Sequence, residues 1–413
     1  MNPHAHKKPL LSEDLTAVAL ALTFIITTAA GGRIAVPSLG WDTSPDVLLT
    51  RTNLIALLKN FLMLYATGWL ATVLLGRSGR RFVIVFPPLF LLATLAFVLA
   101  GNSTVKAYNF EAVIFSLLLG LLLGNVFRIP EWIRNTLATE LFVKIGLVIL
   151  GTSILFTDLL KAGSLGLIQA LVVVVSVWYV AFWVARRFRL DEELSLMLAS
   201  AVSICGVSAA IATAGAIKGD SKKLSYVISI VLITAVPMML IMPYAAHWLG
   251  LTPAQTGAWL GGTIDTTGAV VAAGSMAGEE ALQVSTIVKF SQNVLLGLAA
   301  FGISIYWTYT HREGVEKPTA GVIWSRFPKF VLGFIAASLL FSFGVSEATQ
   351  LAAKEGLKHI QNFWFVLAFV CIGLETRFSD LFGNDSWKPL GAFLLAQAFN
   401  IAITLLLAVL LFA

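Results

Sequence analysis

Charge is what this 413-residue sequence has least of: only 12% of its residues are Asp, Glu, Lys or Arg. A water-soluble domain is nearer a quarter charged, so an ordinary soluble globule is excluded. Cysteine is scarcer still. Cys205 and Cys371 both lie inside apolar runs, too few for a disulfide framework and matching no zinc or redox spacing. The five histidines (His4, His6, His247, His311, His359) fall in the N-terminal tail or near the ends of apolar runs. There is no HExxH and no GxxxxGK[ST], "CGVS" (205–208) is not a GxSG serine motif, and no second Gly/Asp motif makes a dyad with Asp265. No enzymatic activity, cofactor or resident metal is expected. The formal net charge of +6 is no sign of nucleic acid, because the basic residues sit in short connectors such as 76–81 and 185–190. There they set membrane topology.

What is present is hydrophobicity, at 58% of residues with a mean hydropathy of +0.87. A bilayer core of about 30 Å needs roughly 20 helical residues. Apolar segments of that kind recur along the chain, among them 138–157, 164–185, 194–216, 256–275, 361–378 and 388–412. The pattern predicts an all-α membrane protein of about thirteen transmembrane helices. Trp41, Trp132, Trp248, Trp307, Trp324 and Trp387 lie beside span ends, where indole rings anchor at the interface. The expected organisation is a tail at 1–13 and one transmembrane domain at 14–413. Its approximate repeat halves are 14–190 and 224–413, linked by 194–216. With alternating loops, 16 basic residues fall on the N-terminal side and 9 on the other. That bias predicts a cytoplasmic N-terminus, against which only the loop 218–223 argues.

A short repeat points to a transport function. "LGTSILFTDL" (150–159) and "IGLETRFSDL" (372–381) align at an offset of 222 residues, with Gly151/Gly373, Phe156/Phe378, Asp158/Asp380 and Leu159/Leu381 identical. An odd number of spans separates the copies, so they run in opposite directions, the arrangement of inverted-repeat transporters. A channel or another non-transport membrane protein predicts no such repeat.

Two segments look broken near mid-membrane. The run 198–216 carries Ser203, Cys205, Gly206 and Ser208; the run 259–278 carries Thr263, Asp265, Thr266 and Thr267. Glycine and threonine weaken helices, and lipid tolerates an interruption only where protein or water receives the freed backbone groups. Close helix packing would explain small residues, but it does not explain an intramembrane carboxylate. Freed amides with hydroxyl neighbours suit a small anion. Lys289 can add a full positive charge, with Gln292 and Asn293 on the same helix, and Glu375 is a further candidate for the pathway. Asp265 is expected to carry a coupling proton or to ligate Na⁺. Glu140 and Lys144, four apart, are expected to pair with each other.

The run 203–233, followed by 261–274 and "STIVKFSQNVLLG" (285–297), resembles the YeiH-like family of sulfate-exporter-type membrane proteins; the ordered match covers about 138–413. The resemblance implies a bacterial inner-membrane carrier with the architecture of the bile-acid and cation–proton antiporter superfamily. Its partners would be a small anion, a coupling ion and the bilayer, and a homodimer is compatible with it. The sequence departs from the family pattern in reading Asp265–Thr266 where many members have His-Glu. It also has Gln292 and Asn293 where they carry a basic residue. These departures favour a different anion, or the alternative of a monovalent cation–proton antiporter built on Asp265.

Overall fold

The structure is a computed structural model that describes residues 9–107, 111–311, 320–376 and 387–413. In lipid every backbone polar group must be satisfied within the chain, and long apolar runs do this as helices. In chain order the main helices are α1 (Glu13–Ala29), α2 (Arg51–Leu74), α3 (Gly79–Ala100), α4 (Ala112–Val126) and α5 (Thr139–Leu150). They continue with α6 (Phe156–Arg187), α7 (Glu192–Ser200), α8 (Val207–Ile217), α9 (Ser221–Trp248) and α10 (Pro253–Thr263). The last are α11 (Thr267–Ala277), α12 (Glu279–His311), α13 (Lys329–Leu339), α14 (Glu347–Glu375) and α15 (Trp387–Leu411). Eight described helices are long and apolar enough to cross a membrane. Helix α2 displays the solvent they expect. Asn53, Asn60 and Thr72 are buried, whereas Leu54, Leu58 and Leu62 are exposed, the reverse of a helix in water.

The chain forms two compact units, Met1–Phe156 with Lys329–Arg377, and Thr157–Pro328 with Phe378–Ala413. Both passages from the first unit to the second fall within one residue of the same place in the two copies of the repeat, although residues 377–381 of the second copy lie outside the described residues. Within the first unit the paired glycines are used alike. Gly151 packs against Phe334 and Ala337 of α13, and Gly373 against Leu117 and Gly120 of α4. Each glycine therefore seats on the helix before the one that carries the other copy. Lys144 attracts Glu140 electrostatically, as expected, but its close ion-pair contacts lie elsewhere. It pairs with Glu13 at 2.9 Å and Asp14 at 3.0 Å, because the first turn of α1 offers two adjacent carboxylates.

In the second unit, the two segments expected to cross as spans, 194–216 and 256–275, are hairpins. The first consists of α7, a wider π turn at Ala201–Cys205, Gly206 and α8. Its two ends meet: the Asp220 N–H donates to Glu193 Oε2 at 3.3 Å, and Lys223 pairs with Asp191 at 2.8 Å and Glu193 at 3.2 Å. The second consists of α10 and α11, joined through Ile264–Thr266. Gly257 and Gly261 of one arm and Gly274 of the other all lie against the same turn of α12, around Ala281–Ser285. Along α12 the first arm advances from Ala281 at Gly257 to Lys289 at Ile264, and the second returns from Asn293 at Thr267 to Leu282 at Gly274, so the two arms run antiparallel. Each 11-residue arm of the second hairpin is about 16 Å long, half of a bilayer core. Hydropathy could not distinguish such a pair of half-helices from one complete pass.

Helix α9 fixes how the hairpins are related. It is a continuous 28-residue helix, about 42 Å long. The first hairpin precedes its N-terminal end and the second follows its C-terminal end, so they enter from opposite sides. Their tips meet: a Cβ added to Gly206 would lie 3.2 Å from Asp265 Cβ and 2.7 Å from Val231 Cγ1, near the middle of α9.

Candidate functional site

The meeting point of the two hairpin tips gathers most of the residues that the sequence singled out. Gly206 turns the first hairpin at φ 58°, ψ −109°, a conformation that L side chains avoid. Asp265 lies in the second turn between the extended residues Ile264 and Thr266. Thr266 caps α11 by accepting from the Ala269 N–H at 3.2 Å.

Each hairpin brings one helix C-terminus and one helix N-terminus to the tip, and the two kinds of end are treated differently. Helix C-termini present carbonyls without helical partners and partial negative charge. Here they are supplied with donors from flanking helices. Lys289 of α12 donates to Ile204 O and to Ile264 O, both at 2.8 Å, and to Gln292 Oε1 at 3.0 Å. Gln292 Nε2 donates onward to Gly262 O at 2.9 Å. From α15, Gln397 donates to Thr263 O at 2.9 Å, while Asn400 donates to Thr263 O at 3.1 Å and to Val202 O at 3.3 Å. Gln169 of α6 donates to Ala258 O, in the body of α10 and not at its end, at 2.8 Å. Lys289, Gln292, Gln169, Gln397 and Asn400 are all buried.

The N-terminal ends are more open. Ser208, in the first turn of α8, is exposed, and Thr266 and Thr267 are partly exposed. Thr267 accepts from Asn293 Nδ2 at 3.3 Å. Between the sealed ends and the open ones sits Asp265, 1% exposed, near enough to Lys289 for direct electrostatic attraction. Neither of its carboxylate oxygens has a hydrogen-bond partner among the described residues; the same holds for Thr263 Oγ1, Thr286 Oγ1 and Asn293 Oδ1. A buried acceptor without a donor is costly, by about 1–3 kcal/mol and more for a charged group. Such a cost, concentrated at one carboxylate, marks a place where a proton or ligand would be stabilising.

Of the remaining candidates, Ser203 is buried and donates to Ser200 O at 3.5 Å within its own arm. Cys205 is buried beside Gly206. Glu375 is not part of this cluster. It belongs to the first unit, where its Oε1 accepts from Thr139 at 2.9 Å and its main-chain carbonyl accepts from Arg134 at 2.7 Å. Gln169, Gln397 and Asn400 escaped the sequence reading. Their signal was an amide in an otherwise apolar run, as in "LLAQAFNIAIT" (394–404), which in lipid requires a partner.

A family model described as conserved hypothetical protein 698 matches residues 86–393. The chain is 41% identical over 384 residues to a UPF0324 membrane protein of Rhodopirellula baltica, covering 90% of this chain and 70% of that protein. It is 37% identical over 353 residues to one from Nitratidesulfovibrio vulgaris, covering 82% of this chain but only 61% of that relative's length. With one from Nitrosomonas europaea the identity is 30% over 386 residues, covering 80% and 78%. No solved structure matches the chain. These similarities support the YeiH-type resemblance at the level of a membrane protein family. With three relatives and the family model in agreement, the chain belongs to the UPF0324 family of membrane proteins.

Proposed function

We propose that the protein is a secondary active transporter that moves a small anion, such as sulfate, by alternating access, with Asp265 taking the coupling proton. The carrying observation is the buried, unpartnered Asp265 carboxylate where two opposed hairpin tips meet. Interrupted helices at mid-membrane are the binding elements of secondary transporters.

Charge bookkeeping supports coupling. A helix contributes about +0.5 charge at its N-terminus and −0.5 at its C-terminus. One end of each kind from each hairpin cancels, leaving Lys289 and Asp265, which also cancel. A proton on Asp265 leaves the site with one net positive charge, next to the open N-terminal ends of α8 and α11. An anion then becomes the natural second ligand, received by amides and by Ser208 and Thr267 hydroxyls. Released together, proton and anion restore neutrality. The test is uptake of labelled sulfate into proteoliposomes under an imposed pH gradient. Uptake that follows the gradient and loses its pH dependence in Asp265→Asn is expected; wild-type uptake indifferent to pH would sink the reading.

A second reading is exchange of Na⁺ or Li⁺ for protons at Asp265. It is favoured by the acceptor character of the unpartnered oxygens on Asp265, Asn293, Thr263 and Thr286, the chemistry a hard cation uses. Proton efflux driven by a sodium gradient without any permeant anion would select it. The hairpin geometry also bears on orientation. It moves Lys218, Lys222 and Lys223 to the side that carries Arg186, Arg187 and Arg189. The one loop opposed to a cytoplasmic N-terminus thus comes to support it, in the inner membrane of a bacterium.

A further inference from the structure

Lys289 is 1% exposed, and buried lysines ordinarily hydrogen-bond a carboxylate. This one donates to three neutral oxygens: Ile204 O from the first hairpin tip, Ile264 O from the second, and Gln292 Oε1 from its own helix. An ammonium carries three hydrogens, and all three are used. Gln292 is itself held by its bond to Gly262 O, so the amide oxygen is oriented rather than free to turn. Carbonyls of interrupted helices converging on a positive charge are the coordination chemistry of an alkali cation in the membrane.

We propose that the Lys289 ammonium occupies a monovalent-cation site formed by the two hairpin tips, as a tethered cation in place of a soluble one. Without a positive charge there, two helix C-terminal carbonyls and an amide oxygen would face one another across the space that the ammonium fills. With Lys289 in place, the tips are joined at any salt composition, and the fold needs neither Na⁺ nor K⁺ to close. Removing the side chain while leaving the oxygens uncovers the site for a free ion. The contacts at 2.8 Å are set by a hydrogen-bonded ammonium, so K⁺ and NH₄⁺ should fit better than the smaller Na⁺ and Li⁺. The inference stands on the Lys289 geometry and does not depend on the transport reading.

The experiment follows thermal unfolding of the purified full-length protein in choline chloride, against KCl, NH₄Cl, NaCl and LiCl at equal ionic strength. Asp265→Asn, which keeps Lys289 and offers no carboxylate to a cation, should be equally stable in all five. Lys289→Ala should melt several degrees lower in choline and recover saturably with K⁺ or NH₄⁺, less with Na⁺, and least with Li⁺. Lys289→Met should be lowered and stay lowered, because its side chain fills the space that the ion would take. Lys289→Ala combined with Asp265→Asn should still respond to K⁺, since the oxygens and not the carboxylate hold the ion. An alanine variant indifferent to K⁺ and NH₄⁺, or a response that vanishes with Asp265→Asn, overturns the proposal. If the alanine variant cannot be recovered from membranes, Asp265→Asn, which keeps the lysine and removes the carboxylate, decides: a loss of stability on exchange of all alkali ions for choline refutes a permanently filled site, and unchanged stability supports it.

Discussion

The two hairpins reach the same point by different chemistry. The first turns on a single glycine after a π turn, and its base is closed by charge, with Lys223 clasping Asp191 and Glu193. The second turns on Asp265 between two extended residues. Its base carries an uncharged capping box in which Thr252 accepts from the Gln255 N–H at 3.2 Å and the Thr252 N–H donates to Gln255 Oε1 at 3.0 Å. Its arms are seated on α12 through glycine contacts. The first hairpin thus supplies space and the second supplies the ionisable group. On the proposed reading a proton at the site would act on the second hairpin directly and reach the first through the Gly206–Asp265 contact and through Lys289, which holds both tips.

The largest effect should come from removing that space. Gly206→Ala forces a side chain into a left-handed conformation and against Val231 and Asp265. Backbone strain of roughly 1–3 kcal/mol adds to overpacking of a similar size. Thermal unfolding should show a large loss, whereas Thr266→Ala, which removes only a cap, should cost about 1 kcal/mol. Equal losses would contradict the contrast between the two turns.

Next comes the carboxylate. Asp265→Asn keeps the shape of the tip but cannot cycle a proton, so gradient-driven flux should fall tenfold or more while the protein stays folded. Retained pH-driven flux would place the coupling elsewhere. Third, Thr263 O has two amide donors. Gln397→Leu and Asn400→Leu should each cost about 1 kcal/mol. The double variant should cost more than the sum, because only then is the carbonyl stripped; strict additivity would show that the two amides act independently.

The smallest effect should separate the bases. Asp191→Ala removes a cap on α7 and the contact with Lys223, costing about 1 kcal/mol, with little from the exposed ion pair. Burial works against the Asp191 charge, but the Lys223 hydrogen bond and the Leu194 amide hold its carboxyl below the ordinary 3.8. Its stabilisation is therefore full above that value and fades as pH falls through the lowered one. A melt series at pH 3–6 should show this loss in wild type and not in Asp191→Ala. Thr252→Ala, in the uncharged base, should lose a similar amount with no dependence on pH or salt.

Much of this was legible in the sequence, for physical reasons that also explain the rest. Small residues and an isolated carboxylate in apolar runs are expensive in lipid, so Gly206 and Asp265 stood out. The repeat at 150–159 and 372–381 marked where the chain passes between its two units. Hydropathy counts residues and not direction, so two half-helices of 11 residues read as one span. Lys289 stood out as a charge, but its use on main-chain carbonyls depends on two turns that only folding brings together. Glu375 was a weaker candidate at the end of the second repeat copy, and its carboxylate has a donor, Thr139, in the first unit.

The position of Gly206 against Val231, near the middle of α9, has an electrical consequence. A group midway through the bilayer sits about halfway down the membrane potential from either face. A full elementary charge crossing 100 mV exchanges about 2.3 kcal/mol, so a proton reaching Asp265 from one side exchanges about half of that. Occupancy of the carboxylate should then shift roughly sevenfold per 100 mV. If Asp265 takes the coupling proton as proposed, the depth of one glycine turn would make loading of the site a voltage-dependent step.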